Sequence, residues 1–194
     1  MKLMLENGEI FHGKNFGAKI KEQTLLSELV FNTAMTGYQE VITDPSYCDQ
    51  SIVMTYPMIG NYGISNDDYE SLVPSCKAVV AKEFCETPSH WNSGSSIKDF
   101  FLSHNIPALM GVDTRKIVRI LREQGSMKAA FAEDNVSDTV LADALKEQLA
   151  TNQIRRVSIK SPTHFPNRGA KRIVLLDFGY KKNILNLLIE VYHV

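Results

Sequence analysis

The chain lacks the features that mark several specialised classes of protein. It has only three cysteines, Cys48, Cys76 and Cys85, and their odd number and wide spacing argue against a disulfide framework and against a zinc site of the C-x-x-C kind. A net charge of −1 gives no general attraction to nucleic acid or to an anionic membrane. No apolar run approaches the ~20 residues that a membrane-spanning helix needs, and Glu6 follows Met1 too closely for a secretory signal peptide. These absences predict a cytoplasmic protein with reduced thiols and with neither a nucleic-acid nor a membrane partner.

The bulk composition is that of an ordinary globular protein. The 194 residues suffice for one domain and a half, or for two small domains. Because 44% of the residues are hydrophobic and 22% are charged, we expect a sizeable core and an ordered chain over most of its length.

Short apolar runs separated by turn residues predict most of the strands. Asn7 and Gly8 supply the two positive-φ positions of a type I′ turn, which predicts a hairpin between the first two strands. Pro57 ends the strand that precedes a loop at residues 60–63. The predicted strands are residues 3–5, 10–11, 29–31, 51–56, 77–81, 108–110 and 127–132.

Apolar residues at helical spacing predict three helices between and after these strands. Serine or aspartate before the first apolar position and glycine or proline after the last one mark their ends. The expected limits are Ser95 or Ser96 to residues 104–105, Asp113 or Thr114 to Gly125, and residues 139–150.

The composition changes after residue 150. Residues 151–170 contain prolines, a glycine and arginines without periodicity, which is typical of a linker. Residues 173–179 form an apolar run that ends in a turn, the pattern of a central parallel strand, and residues 183–190 predict the helix that follows. Because one strand and one helix cannot bury their own faces, we expect residues 171–194 to be the start of a second, incomplete domain after a first domain at residues 1–150.

The most informative segment is residues 30–47, which begins apolar and then becomes dense in small polar and turn-forming residues. A plain buried strand would not hold Asn32, Thr36 and Gln39 so close together. Fixed donors and acceptors beside Gly37, which permits a close backbone approach, suit a surface that matches a partner. A polar loop between two strands is the alternative that the spacing leaves open.

Six motifs occur in order along the chain. They are LENGEIFHG at 5–13, ELVFNTAMTGYQE at 28–40, TDPSY at 43–47, TYPMIGNYG at 55–63, DTR at 113–115 and DFG at 177–179. Together they resemble the small, glutamine-hydrolysing chain of carbamoyl-phosphate synthase. The resemblance covers essentially the whole chain, and the central motif is too long for a chance match with the other motifs also in place.

The resemblance implies a mixed α/β fold with a swivelling-type β/β/α domain at residues 1–150, which docks the large synthetase chain. After a linker at residues 151–170, residues 171–194 would be the first βα unit of a truncated class I glutamine amidotransferase domain. In that family the small chain releases ammonia from glutamine. The large chain is a ligase that uses the ammonia with bicarbonate, ATP and Mg²⁺ to make carbamoyl phosphate for arginine and pyrimidine biosynthesis. The resemblance thus implies a heterodimer in which ATP and Mg²⁺ are used by the large chain and no cofactor is bound by this chain.

The resemblance also assigns Ser46 to the glutamine pocket, where the serine of Asp-Pro-Ser-Tyr reaches across to the other domain. The local alternative is a serine that only caps the turn after Pro45. The family's nucleophile is a cysteine at a tight strand-to-helix turn, assisted by a histidine and a glutamate, and this sequence has no such region. We therefore assign no catalytic residue and expect the chain not to hydrolyse glutamine alone.

Two other hypotheses remain open for the chain as a whole. One is a non-catalytic docking module that only binds the large chain. The other is a product that misfolds and aggregates, since its last predicted strand has no sheet to join.

The remaining reactive side chains favour structural roles. Cys48 is expected to be inert, because neighbouring aspartates raise a thiol pKa, and Cys76 and Cys85 are expected to be small apolar fillers. His12 has no acid nearby in sequence, and the other histidines are too scattered for a metal site. The arginines on one face of the second helix favour a solvated surface that lies partly at a subunit interface; they are Arg115, Arg119 and Arg122.

The motif Asp177-Phe178-Gly179 matches the magnesium motif of protein kinases by its letters alone. The glycine-rich loop and the His-Arg-Asp loop of kinases are absent from the sequence, so the kinase interpretation fails. The turn at Gly179 either meets substrate in a completed domain or is purely structural, and the sequence favours neither.

Overall fold

A computed structural model of the chain describes residues 1–71, 73–91, 93–166 and 171–194. The strands within these residues are β1 Lys2–Leu5, β2 Ile10–His12, β3 Lys14–Asn15, β4 Leu25–Asn32, β5 Gln50–Met54, β6 Met58–Ile59, β7 Ala78–Ala81, β8 Glu83–Phe84, β9 Ala108–Met110 and β10 Met127–Ala132. The helices within them are α1 Tyr38–Thr43, α2 Ile97–Ser103, α3 Thr114–Gln124, α4 Asp138–Ala144, α5 Gln153–Val157 and α6 Lys182–Val191, with a 3-10 turn at Pro45–Tyr47. The predicted mixed α/β class is confirmed.

Eight strands form one sheet in the order β2-β1-β10-β4-β5-β7-β9-β3, and β6 pairs with β8 separately. The central pairs β4–β5, β5–β7 and β7–β9 are parallel, and the outer pairs are antiparallel. Only Gly13 separates β2 from β3 in sequence, although the two strands lie at opposite ends of the sheet order. One residue spans less than ~4 Å, so the sheet must curl until its edges meet. A Cβ on Gly13 would lie 2.3 Å from the Met110 carbonyl oxygen, which explains the glycine at this junction.

The parallel strands are buried on both faces. Val53 and Val80 pack in the cluster that includes Ile117 of α3, whereas Ile52 and Val79 pack in the cluster that includes residues of α1 and α2. Continuous Val and Ile runs in these strands are what a sheet covered on both faces requires. Because β4, β5, β7 and β9 run parallel, their carboxyl ends lie at the same edge of the sheet, and the segments that follow them leave from that edge.

The predicted hairpin between β1 and β2 is confirmed, but its predicted turn type is wrong. Gly8 has φ 87°, whereas Asn7 is not among the residues with positive φ. The Gly8 N–H donates to the Leu5 carbonyl and the Leu5 N–H donates to the Glu9 carbonyl, both at 2.9 Å. This pattern is a type I turn followed by a bulge at glycine, which needs only one left-handed residue.

The first two predicted helices are confirmed with their caps. The Ser96 hydroxyl accepts the N–H of Asp99 at 3.1 Å at the start of α2, and the Asp113 carboxylate accepts the N–H of Lys116 at 3.0 Å at the start of α3. α3 ends at Gln124 and is capped by Gly125, which has φ 89°. The third helix was predicted to reach residue 150, but α4 ends at Ala144.

A lysine from the sheet explains the early end of α4. The Lys128 ammonium donates to the carbonyl oxygens of Leu145 and Glu147, at 3.1 and 2.8 Å. These carbonyls would otherwise accept N–H groups of a continued helix. Lys128 of β10 therefore stabilises a helix that ends at Ala144 over one that continues for another turn.

The predicted strand at residues 173–179 is wrong. Among the described residues this segment belongs to no strand, and the isolated bridge between Arg172 and His193 lies just before it. Val174, Leu176 and Phe178 are 86%, 73% and 67% exposed, so the apolar pattern is present without a neighbouring strand to bury it. The helix predicted after it is confirmed as α6.

The segment predicted to be a linker contains a short helix. α5 lies within residues 151–170, and residues 167–170 of this segment lie outside the described residues. The division into residues 1–150, 151–170 and 171–194 stays a prediction.

Candidate functional site

Ser46 lies on the 3-10 turn between α1 and β5, on the crossover that connects two parallel strands. The Asp44 carboxylate accepts the Ser46 N–H at 2.9 Å, and Pro45 occupies the first position of the turn. Asp44 therefore caps this turn, which removes the alternative in which the Ser46 hydroxyl is the cap. The Ser46 side chain is exposed and its hydroxyl makes no hydrogen bond with any other described residue.

Two buried carboxylates flank this turn, and each contacts a cation from the C-terminal part of the chain. Asp44 lies 2.8 Å from the Lys181 ammonium. Asp49 accepts hydrogen bonds from Arg156 of α5 at both carboxylate oxygens and lies 3.4 Å from the Lys77 ammonium. The turn that carries Ser46 is thus tied at both ends to residues beyond position 150.

A cleft of about 920 Å³ lies beside the turn, with Ser46, Gln50, Lys77 and Gln153 among its lining residues. Hydroxyl, amide and ammonium groups can bind a small polar ligand. The lining also includes Cys48 and Cys76.

Burial keeps the two cysteines of the cleft protonated. Burial first, and the Asp49 carboxylate second, raise the pKa of the Cys48 thiol, although Arg156 and Lys77 oppose them. Burial raises the pKa of Cys76 to about 12, although a hydrogen bond with its own backbone opposes the rise. The direction predicted for Cys48 is confirmed. Cys85, which is partly exposed, donates its S–H to the Thr87 carbonyl at 3.2 Å.

Most polar side chains of residues 30–47 have partners inside the protein. The Asn32 amide donates to the Tyr47 hydroxyl at 3.0 Å. The Gln39 side chain donates to the Ser65 carbonyl at 2.6 Å and accepts the Ser65 N–H at 2.8 Å. These contacts brace the loops that leave β4 and β5. The part of the motif that faces solvent is smaller than the sequence predicts and includes Thr33, Thr36 and Met35, which is 75% exposed.

Sequence reasoning missed the partners that hold the site: Tyr62, Lys77, Arg156 and Lys181. Asp49 and Arg156 are 107 residues apart in sequence, so no local spacing could indicate their contact. The sequence did single out the turns where Tyr62 and Lys181 lie, but it gave no role to either side chain.

Three other groups of sequence candidates have structural or solvated roles. His12 does have an acid partner, since its Nδ1 lies 3.2 Å from the Asp134 carboxylate across the sheet. The described residues include no group of three or more histidine, cysteine or acidic side chains that could hold a metal ion. The arginines of α3 are exposed and make no ion pair within the described ranges, as expected for a solvated face; they are Arg115, Arg119 and Arg122.

Asp177 closes a tight turn after the extended C-terminal segment. Its carboxylate accepts the N–H groups of Gly179, Tyr180 and Ile159, at 2.7, 2.9 and 2.6 Å. Burial works to raise the pKa of Asp177, but these backbone donors outweigh it and lower the pKa below its usual range. A Cβ on Gly179 would lie 2.6 Å from Val157 Cγ2, so the glycine lets this turn pack closely against α5. Both observations favour the structural alternative for this turn.

Comparison with known proteins assigns the family. The sequence model of the carbamoyl-phosphate synthase small chain, CPSase domain, matches residues 3–131. The chain is 47% identical over 188 residues to the carbamoyl phosphate synthase pyrimidine-specific small chain of Bacillus subtilis (strain 168), and 44% identical over 190 residues to the protein of the same name in Halalkalibacterium halodurans. These alignments cover 96% and 97% of this chain but 50% and 51% of the relatives, so the chain spans about half their length.

One further structural finding is that no described helix is long and apolar enough to cross a membrane. The match over residues 3–131 and the identity over nearly the whole chain agree with the six motifs and with the mixed α/β fold. The chain belongs to the carbamoyl-phosphate synthase small-chain family.

Proposed function

We propose that this chain is the docking part of a small subunit of glutamine-dependent carbamoyl-phosphate synthase and contributes Ser46 to the glutamine pocket. Residues 1–150 form the swivelling-type β/β/α domain, and residues 171–194 belong to the amidotransferase part. The large synthetase chain uses the ammonia released from glutamine, together with ATP and Mg²⁺, for arginine and pyrimidine biosynthesis in the cytoplasm. The observation that carries the proposal is the exposed Ser46 hydroxyl, which has no hydrogen-bond partner among the described residues and lies on a turn tied to the C-terminal part of the chain.

The docking surface that we propose comprises residues 32–47 and 55–63. Met35, Tyr56 and Met58 follow β4 and β5 at one edge of the sheet and are 75%, 40% and 39% exposed. Ammonia that passes between two chains must avoid protonation, which requires a surface that excludes water and holds its register. The internal hydrogen bonds of Asn32, Gln39 and Tyr62 supply such rigidity.

We also propose that this chain does not hydrolyse glutamine alone. A cysteine nucleophile needs a base or an electropositive setting that lowers the thiol pKa. The pKa values of Cys48 and Cys76 are raised, and Cys85 donates its S–H to a backbone carbonyl. The alternative with the same support is a non-catalytic module that binds the large chain and contributes nothing to the glutamine pocket.

The test separates docking from chemistry. The chain is co-expressed with the large synthetase chain of its source organism, and co-purification and ammonia release from glutamine are measured separately. We expect co-purification, weakened by Met35→Lys and unchanged by Leu102→Ser, which alters another exposed apolar residue, on α2. Failure of the two chains to associate would overturn the docking role, and ammonia release by this chain alone would overturn the account of its thiols.

Ser46→Ala separates the two alternatives. The measurement needs a complex in which these residues are joined to a small-chain region that carries the amidotransferase nucleophile. In that complex the substitution should raise the KM for glutamine and leave the use of free ammonia unchanged, because only the glutamine pocket loses a hydroxyl. A KM for glutamine equal to that of the unsubstituted chain would favour the docking module.

A further inference from the structure

Asp49, three residues after Ser46, has an unusual backbone conformation. Its φ is 62°, and Asp49 and Asn105 are the only non-glycine residues of the described ranges with positive φ. The left-handed region is unfavourable for most residues with a Cβ, and aspartate is one of the few that adopt it. The contacts of the Asp49 side chain add to what holds this conformation.

Two cations surround the Asp49 carboxylate. The side chain of Asp49 is only 7% exposed, yet it contacts the guanidinium of Arg156 through both oxygens and the ammonium of Lys77 at 3.4 Å. The Asp49 N–H donates to the Ser75 carbonyl at 3.0 Å. A carboxylate this buried needs its partners, because removal of a cation leaves the negative charge without compensation.

The residues between Ser46 and Asp49 belong to a hydrogen-bonded turn. The Tyr47 N–H donates to the Asp44 carbonyl and the Cys48 N–H donates to the Pro45 carbonyl, both at 3.1 Å. These bonds leave little freedom to the turn that carries Ser46, and this turn continues directly into Asp49.

We propose that Arg156 is a positioning residue for Ser46: through the Asp49 carboxylate it fixes the turn that presents the Ser46 hydroxyl to the cleft. Arg156 does not itself touch the ligand. The inference rests on the proposed function, in which Ser46 belongs to the glutamine pocket. It adds that the geometry of this pocket depends on a contact between α5 and the crossover segment that follows α1.

The test compares Arg156→Met with the matched control Arg155→Met in the isotopically labelled chain. Arg155 is the adjacent arginine of α5 and makes no side-chain ion pair with the described residues. Nuclear magnetic resonance reports the chemical shift and hydrogen-exchange rate of the Ser46 amide, with the amides of β1 and β10 as remote references. We expect Arg156→Met to shift the Ser46 signal and to raise its exchange rate about tenfold, the effect of one net hydrogen bond.

Two further variants distinguish positioning from general stability. Asp49→Asn keeps a side chain that tolerates positive φ but removes the charge, so it should reproduce the Ser46 shift of Arg156→Met. Arg156→Lys keeps a positive charge at this position, so the Ser46 signal should lie closer to that of the unsubstituted chain than it does in Arg156→Met. An unmoved Ser46 signal in Arg156→Met, an equal change in Arg155→Met, or a uniform change over all amides would each overturn the proposal.

The readout is independent of glutamine, so the two proposals can fail separately. If Arg156→Met moves Ser46 but Ser46→Ala leaves the KM for glutamine unchanged, the positioning role stands and the pocket assignment falls. If Ser46→Ala raises that KM while Arg156→Met leaves the Ser46 signal unmoved, the pocket assignment stands and the positioning role falls.

Discussion

The rings of Tyr38 and Tyr62 stack with their centroids 4.1 Å apart, and the Tyr62 hydroxyl accepts the N–H of Tyr38 at 3.1 Å. The same hydroxyl accepts the N–H of Gly37 at 2.8 Å. Gly37 is the N-cap of α1 and offers no side-chain acceptor of its own. Tyr62 therefore caps α1 from a distant loop. This contact ties the start of the crossover between β4 and β5, which carries Ser46, to residues 60–63.

Removal of this cap should destabilise the protein measurably. Tyr62→Phe keeps the stacked ring but leaves two N–H groups without their acceptor, so we expect the free energy of unfolding to fall by about 1–3 kcal/mol. Urea unfolding followed by circular dichroism measures the change. Tyr56→Phe is the control, because Tyr56 is 40% exposed and should lose almost nothing. Equal losses for the two variants would show that the Tyr62 hydroxyl is not a cap.

Local sequence patterns predicted the elements whose stabilising contacts are local. The caps at Ser96 and Asp113 lie beside the helices that they start, and the apolar runs and turn residues that predict β1, β2, β5 and β7 lie within a few positions. The errors arose where distant residues decide the structure. Lys128, which lies on β10, ends the helix α4. Residues 173–179 have the composition of a central strand but no neighbouring strand among the described residues.

The candidate site shows the same division. Ser46 was identified through a contiguous motif and a family resemblance, and its role in binding glutamine stays a prediction. The sequence does not predict the contacts of Arg156 and Lys181, because their partners, Asp49 and Asp44, lie far away along the chain. A charged side chain in a linker carries no local signal of the carboxylate that it will meet.

Two glycines with similar backbone angles allow steric crowding to be separated from backbone strain. Gly8 has φ +87° with nothing within 4 Å of an added Cβ, whereas Gly60 has φ +93° and its added Cβ would lie 2.5 Å from Ile97 Cγ2. Both alanine variants should lose about 1–2 kcal/mol from the positive φ. Gly60→Ala should lose a further ~1–3 kcal/mol from overpacking against α2. Urea unfolding of the two variants measures the difference, and equal losses would contradict the close contact at Gly60.

The three thiols should react with an alkylating reagent at very different rates. Cys85 is partly exposed, whereas Cys48 and Cys76 are buried. At pH 8 in the native state we expect iodoacetamide to modify Cys85 first, with the other two reacting only after unfolding, because burial raises their thiol pKa values and blocks access. Mass spectrometry of the modified peptides identifies the site. Cys85→Ser should abolish the fast phase, and rapid native labelling of Cys48 would contradict the inert role assigned to it.

The turn at Asp177 should loosen in acid. Its folded pKa is lowered, so the stabilisation is fully present above the unfolded value of about 3.9 and is lost as the pH falls through the folded pKa. We expect the hydrogen-exchange protection of the Ile159 and Gly179 amides to decrease below about pH 4, because a protonated carboxyl accepts these bonds more weakly. Asp177→Asn, which carries no titratable group, should make the protection weaker at neutral pH and nearly independent of pH over this window. Asp143→Asn is the control, since Asp143 lies on α4 and pairs with Lys146 at 2.7 Å. An acid response that persists unchanged in Asp177→Asn would assign the transition to another group and remove Asp177 from the account of this turn.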